Sequence, residues 1–304
     1  MKKVLITGSN GLLGQKIVLN YSSSPDWEII GTGLGPNRIT STKDFTYVTM
    51  DITNRKNVLE VLAEYSPDVV INTAAMTNVD VCEDDPMGCD ELNVEAVKYL
   101  VEGSEKIGAH LIHLSTDFIF DGEEGPYSED DRPNPLSYYG KSKWLSEGVV
   151  RKAQCPWSIV RTVLVIGIAE GMSRSNIILW AKGALSKGQE ISVVNDQFRT
   201  PTLAEDLADG CMLIAEKGET GIFNISGKDF LSILEIVHLI ADHFSFDKSL
   251  IAEVSSKTLN QRAKRPPVTG FVLDKAIEVL GYSPRSFVES IQIIDKQSED
   301  QKKV

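Results

Sequence analysis

The chain has 304 residues, 42% of them apolar, which is ample for one large core or two modest ones. Its formal net charge of -12 excludes a nucleic-acid surface, which needs a basic patch. The same acidity means that any bound phosphate must be held by local donors and not by the overall field.

Lys2 to Thr7 reads as a short, buried, parallel strand. It runs into Gly8-Ser9-Asn10-Gly11-Leu12-Leu13-Gly14, after which Leu13, Ile17 and Tyr21 recur at helical spacing. Glycines between a strand and a helix allow a tight turn and a close backbone approach to a pyrophosphate. The helix N-terminus then offers free N–H groups and partial positive charge, so the site can hold an anion despite the net charge. Glu28 to Thr32 is a second strand, ending in Gly33-Leu34-Gly35-Pro36-Asn37-Arg38. An acidic residue here would bind the ribose hydroxyls of NAD. Its absence, with Arg38 nearby, favours NADP(H) over NAD(H).

Tyr47 to Met50 is a third strand ending at Asp51-Ile52, and Val58, Val61, Leu62 and Tyr65 mark the helix after it. Val69 to Asn72 is a fourth, followed by the small residues Thr73-Ala74-Ala75-Met76-Thr77, which leave room for a flat ring at the strand's carboxyl end. A long helix through Leu92, Ala96, Val97, Leu100 and Ile107 leads to a fifth strand, Leu111 to Asp117. The Pro-rich run Arg132 to Pro135 precedes a helix capped by Ser137, on which Tyr139 and Lys143 share one face. Trp157 to Arg161 is a sixth strand. Beyond it the alternation loosens: helices near Ile177–Leu185, Leu203–Ala215, Ile233–Ile240, Asp274–Leu280 and Phe287–Asp295 mix with short strands at Ile191–Val194 and Ile222–Ile225, and a frayed end is expected from Gln297. This predicts an α/β chain: a Rossmann-like, doubly wound parallel sheet over residues 1–162 and a smaller α+β substrate-binding part over 163–304, some of it packing back on the first.

The other polar residues add little. Cys82, Cys89, Cys155 and Cys211 lack metal spacing and the histidines form no ligand cluster, so no metal is expected. The apolar run after Lys2-Lys3 is too short for a signal peptide, and none is long enough to span a membrane. A soluble cytoplasmic protein is expected, with no membrane partner and a homodimer left open.

If a nicotinamide occupies the crevice, the matching reaction is hydride transfer to or from a carbon bearing oxygen, and carbonyl reduction needs an acid at that oxygen. Tyr139 is the candidate. A cation about 5 Å away at an effective dielectric of about 20 is worth roughly 3 kcal/mol, so Lys143 and the nicotinamide's own charge would draw the phenol towards neutrality. Thr116 would hydrogen-bond the same oxygen.

Together Gly8-x-x-Gly11-x-x-Gly14, Ser115-Thr116 and Tyr139-x-x-x-Lys143 resemble the extended short-chain dehydrogenase/reductase superfamily. Asn72 to Asp80, Ser115-Thr116-Asp117-Phe118-Ile119-Phe120-Asp121-Gly122, Pro201-Thr202 before Asp206-Leu207-Ala208, and Arg265-Pro266 are similar to the dTDP-4-dehydrorhamnose reductases within it. The resemblance implies NAD(P)H-dependent reduction of a 4-keto-6-deoxy sugar nucleotide, with Thr116, Tyr139 and Lys143 catalytic. Expected cofactor contacts are Gly8, Asn10, Gly11, Leu12, Gly14, Arg38, Asp51, Ile52, Ala74, Ala75, Thr77, Ser115, Tyr139 and Lys143. Expected substrate contacts are Thr77, Thr116, Asn176, Arg199 and Arg265. Dehydration lacks its base, because Phe118 follows Asp117, and no cysteine lies in sequence where an epimerase-reductase would use one.

Two departures bear on specificity. Leu164 stands where the reductases carry an aromatic against the sugar, and Arg199 where they carry Gly, either filling the pocket or meeting a phosphate. The regulatory β subunit of methionine adenosyltransferase resembles the same reductases and keeps much of the motif set, so a non-catalytic nucleotide-binding subunit is the rival reading, beside a reductase of another carbonyl.

Overall fold

The computed structural model describes residues 1–172, 175–259 and 261–301. The first part alternates strand and helix: β1 (Lys2–Thr7), α1 (Leu12–Tyr21), β2 (Trp27–Gly33), β3 (Thr46–Thr49), α2 (Arg55–Tyr65), β4 (Val69–Asn72), α3 (Val79–Asp84), α4 (Pro86–Asp90), α5 (Ala96–Ile107), β5 (His110–Thr116), α6 (Tyr138–Val150) and β6 (Trp157–Thr162). The rest comprises β7 (Val165–Ile166), α7 (Ile177–Leu185), β8 (Ile191–Val194), β9 (Phe198–Arg199), β10 (Thr202–Leu203), α8 (Ala204–Lys217), β11 (Gly221–Asn224), β12 (Leu231–Ser232), α9 (Ile233–Phe244), β13 (Ile251–Val254) and α10 (Phe287–Gln301).

Seven strands form one parallel sheet in the order β11-β6-β5-β4-β1-β2-β3. This is the Rossmann-like fold expected. β4 reads Val-Val-Ile-Asn and is buried throughout, as a central parallel strand covered on both faces must be. Only the edge strand β3 has an exposed pattern. Order reverses between β4 and β2 on either side of β1, so a crevice opens at the carboxyl ends of β1 and β4. One core layer joins Ile6, Ile17, Ile71 and Leu207 on one face of the sheet. The other joins Leu5, Val58, Val70, Val97 and Leu111. Three two-stranded sheets, β7 with β10, β9 with β12 and β8 with β13, belong to the later part. β11, however, lies beside β6 in the large sheet, and α8 packs on α1.

The helix expected through Leu92 is not continuous. A π-helical turn at Glu91–Glu95 separates α4 from α5. There Asn93 turns inward: Met76 N–H donates to its Oδ1 (2.8 Å), and its Nδ2 donates to Met76 O (3.0 Å) and Ser142 Oγ (3.0 Å). Such bulges serve to re-aim a side chain. This one fixes the loop after β4 to α6. The end of the chain also differs from expectation, because α10 stays helical to Gln301. Lys16 Nζ donates to Gln297 Oε1 (3.1 Å) and Gln297 Nε2 to Glu205 Oε1 (2.7 Å), which ties the segment down. Residues 302–304 of the expected frayed end lie outside the described residues.

Candidate active site

The glycine loop is shaped for close approach. Gly8 has φ +64°, and its α-carbon faces Ala74, whose Cα lies 3.0 Å from where a side chain would begin. A Cβ on Gly14 would meet Gly8 O and Ser9 Cα at 2.6 Å, so α1 could not seat against the loop with any larger residue. Gly11 caps α1 without a side-chain acceptor, and no acidic residue occupies the first turn. Its opening N–H groups are therefore free for an anion. Asn10 braces the neighbouring loop: Nδ2 donates to Pro36 O (3.1 Å) and Tyr47 Oη (2.9 Å), and Oδ1 accepts from Arg38 N–H (2.9 Å).

A strap from the later part crosses this region. Thr40 and Ser41 each donate N–H and hydroxyl to the Glu170 carboxylate, while Gln15 exchanges two hydrogen bonds with the Glu170 backbone. Neither Glu170 nor Gln15 was evident from sequence spacing.

A cleft of about 580 Å³ runs from this loop to α6. Asn10, Gly11, Leu12, Arg38, Ala75, Thr77, Ser115, Thr116, Tyr139, Lys143 and Asn176 all line it. Gly8 and Gly14 shape the loop from behind, and Ala74 packs on Gly8. Asp51 and Ile52 do not line the cleft: Asp51 Oδ1 accepts from Thr53 N–H (2.9 Å) and its hydroxyl (2.7 Å), and Ile52 is buried. Asp51 thereby holds the turn that leads to Asn54, the cap of α2.

α6 is pressed against the end of β5. Ser137 accepts Gly140 N–H (3.2 Å) as its cap, and a Cβ on Gly140 would lie 2.1 Å from Phe118 O. This close approach carries Tyr139 beside Thr116 in the cleft, with the Phe118 ring edge-on at 5.9 Å. Burial pushes the phenol above its ordinary value, and the Asp117 charge adds to the effect. That is opposite to the direction expected from a neighbouring ammonium, because the cost of burial is the largest influence on the phenol. Thr116 differs from expectation too: its hydroxyl donates to Asp117 Oδ1 (3.0 Å) and so is not free to donate to a substrate oxygen.

Lys143 is almost fully buried, and burial lowers its ammonium to about 8. Its Nζ lies 3.3 Å from His113 Nε2. Asn72 Nδ2 faces His113 Nδ1 (3.0 Å) while Asn72 Oδ1 accepts from Thr7 Oγ1 (2.6 Å), so Nδ1 is the acceptor. Ser146 Oγ gives its proton to Lys143 O (2.7 Å) and therefore receives Nε2–H (2.9 Å). The ring is thus neutral, and burial, with Lys143 next, holds it well below its ordinary value. One turn further on, Glu147 is fully buried, accepts Ser115 Oγ–H (2.7 Å) and pairs with the buried Arg161 through Nε (3.0 Å) and Nη2 (2.9 Å). His113 and Glu147 were not singled out from the sequence, since strand register and helix placement bring them in. Cys82 and Cys89 are buried and pack with Tyr139 in one cluster.

The far wall is a second pocket of about 280 Å³, which shares Asp117, Phe118 and Leu164 with the cleft and adds Trp180, Gln197, Arg199 and Arg265. Leu164 holds φ +36°, a strained conformation for a branched side chain. Arg199 fills the wall instead of reaching out. It is buried, with Nη1 donating to Phe198 O (2.7 Å) and Pro267 O (3.2 Å) and Nη2 to Pro266 O (2.8 Å). Arg265 pairs with Asp80 (2.8 Å), and Asn176 caps α7 while donating to Gly167 O (2.6 Å). Both are committed to the protein in this arrangement, although each lines a cavity.

Comparison with known proteins places this geometry. The family model described as the RmlD substrate binding domain matches residues 1–299. The chain belongs to that family. It lies within the extended short-chain dehydrogenase/reductases, which are NAD(P)-dependent oxidoreductases. The chain is 30% identical over 293 residues to the spore coat polysaccharide biosynthesis protein SpsK of Bacillus subtilis, covering 96% of each. It is 30% identical to methionine adenosyltransferase 2 subunit beta of Danio rerio, covering 94% of this chain and 87% of that one. It is also 30% identical to dTDP-4-dehydrorhamnose reductase of Aggregatibacter actinomycetemcomitans, covering 98% and 100%. Among solved structures, a dTDP-4-dehydrorhamnose reductase from Clostridium acetobutylicum superposes with a TM-score of 0.85 at 29% identity, covering 98% and 99%. One from Bacillus anthracis, in complex with NADP, gives 0.83 at 25%, covering 98% and 100%. Among the described residues no helix is long and apolar enough to cross a membrane.

Proposed function

We propose that this protein reduces the ketone of a 4-keto-6-deoxy sugar nucleotide, dTDP-4-dehydrorhamnose first among them, to give dTDP-rhamnose for a cell-surface polysaccharide. One observation carries the reading: Tyr139, Lys143 and Thr116 share a single 580 Å³ cleft with the free N-terminus of α1. The relatives named for dTDP-4-dehydrorhamnose reduction and for coat polysaccharide synthesis support it.

The cradle fits a nicotinamide dinucleotide: Gly11 and Leu12 with the α1 N–H groups for the pyrophosphate, Ala75 and Thr77 beside the β4 edge, Arg38 near the β2 end. Bound there in its reduced form, such a cofactor supplies a hydride. NADP(H) is favoured, because Arg38 lines the cleft and the nearby Glu170 carboxylate is taken up by Thr40 and Ser41. Tyr139, kept protonated by burial, gives its proton to the carbonyl oxygen. Lys143, whose ammonium sits near 8, restores that proton and would hold the nicotinamide ribose. Thr116 aligns the phenol.

A regulatory-subunit reading draws on the equal identity to methionine adenosyltransferase 2 subunit beta. Purified protein mixed with reduced dinucleotide and dTDP-4-dehydrorhamnose decides between them: loss of reduced-nicotinamide absorbance supports the reductase. Cofactor binding without turnover on a panel of keto-sugar nucleotides rejects it.

A further inference from the structure

Asp117 stands where the two cavities meet and lines both of them. Its carboxylate is shared out on every side. Oδ1 accepts from Thr116 Oγ1 (3.0 Å), Oδ2 accepts from Thr269 Oγ1 (2.5 Å), and Arg199 Nε lies 3.7 Å from Oδ2. A threonine hydroxyl has a single proton. While Thr116 gives it to Asp117, towards Tyr139 the same oxygen can only accept. A protonated Asp117 would itself donate, and the Thr116 proton would be released to compete with the phenol for the reacting oxygen.

The charge on Asp117 therefore sets whether Thr116, beside Tyr139 in the cleft, has a proton to offer. The ionisable groups around it are few: Tyr139 from α6, Arg199 from β9, and Arg265 beyond Arg199, itself paired with Asp80. Burial drives the Asp117 carboxyl up from its ordinary value, and Arg199 is the largest influence opposing this. The guanidinium is held in place by the carbonyls of Phe198, Pro266 and Pro267, and lies 5.9 Å from the Phe118 ring centroid.

We propose that Arg199 is a positioning residue: it keeps Asp117 ionised, so that the Thr116 proton stays on Asp117 and Tyr139 remains the one acid aimed at the reacting oxygen. The resemblance does not imply this device, since the reductase pattern carries Gly at that position. It rests on the reductase reading above only for its kinetic consequence, not for the link between Arg199 and Asp117.

The link is read directly by carboxyl-¹³C NMR of aspartate-labelled protein, with the Asp117 signal identified by its loss in Asp117→Asn. In Arg199→Gly the Asp117 midpoint should rise by about one pH unit or more. Arg199→Lys, which keeps a cation there, should return most of that shift. With dTDP-4-dehydrorhamnose as substrate, the acid limb of kcat should move up by the same amount while KM holds. An unchanged Asp117 midpoint in Arg199→Gly overturns the proposal, as does a lysine variant no closer to wild type than the glycine variant. If the wild-type protein turns over no sugar nucleotide, the reductase reading falls, and the NMR midpoints still decide whether Arg199 holds Asp117 ionised.

Discussion

The ammonium of Lys143 lies 3.3 Å from a neutral His113 imidazole, and both side chains are buried. Among the described residues no carboxylate pairs with Nζ, and the charge that favours it most is that of Glu147, one helical turn away. The lysine is thus charged at neutral pH only against the cost of burial.

That cost gives a stability prediction with a definite sign. The folded lysine sits near 8, below its unfolded value of 10.5, so the unfolded chain binds more protons between them. Stability from this group should rise with pH through that window, approaching about 1.4 kcal/mol per pH unit, and be absent below 8. Chemical denaturation of the wild type and Lys143→Met between pH 8 and pH 10 isolates it. Parallel pH dependences for the two proteins would refute the assignment.

Tyr139→Phe removes the proton donor and leaves a ring of nearly the same shape against Phe118. Turnover should fall by about 10²–10⁴-fold with dinucleotide affinity held within about twofold. Single-turnover kinetics and calorimetric titration of the cofactor measure the two separately.

Glu147→Gln leaves the Arg161 guanidinium buried without its counter-charge. The loss should be about 3–5 kcal/mol of folding stability. Arg161, Ser115 and Arg151 hold the Glu147 carboxyl below its ordinary value against burial, so its contribution is full above the unfolded value of 4.5 and disappears as pH falls through the folded one. Acid unfolding followed by circular dichroism should accordingly show a smaller loss between pH 5 and pH 3 in the variant than in the wild type.

Arg38 tests cofactor choice. Arg38→Ala should weaken NADPH binding by about tenfold and leave NADH nearly unchanged, since only the former carries a phosphate for a guanidinium to meet. Fluorescence titration of both reduced cofactors gives the ratio; equal weakening of the two would place Arg38 elsewhere than at the ribose phosphate.

Much of this site was readable in the chain because its signals are local. The Gly8–Gly14 loop follows a strand and opens a helix, and Tyr139 and Lys143 are bound to share a face once α6 forms. What stayed hidden depends on partners far apart in sequence. His113 reaches Lys143 only because β5 lies under α6, and Glu147 meets Arg161 only because β6 pairs with β5. Arg199 shows the other limit. Its type says cation, but only the placing of the Pro266 and Pro267 carbonyls decides whether that cation faces a ligand or the protein. The π-helical turn was similarly invisible, since Leu92 and Ala96 keep an ordinary apolar spacing across it.

β11 gives the later half an unusual attachment. The polypeptide leaves the large sheet at Thr162 and rejoins it at Gly221, on the strand directly beside β6. The intervening residues are a loop inserted between two adjacent rungs of a ladder, not a tail hung from its end. Cutting the gene after residue 162 would strip an edge strand from the cofactor-side sheet and expose β6, so neither half is a portable module. The inserted part is thus tied to the large sheet at both of its ends, through neighbouring strands, and again where α8 packs on α1.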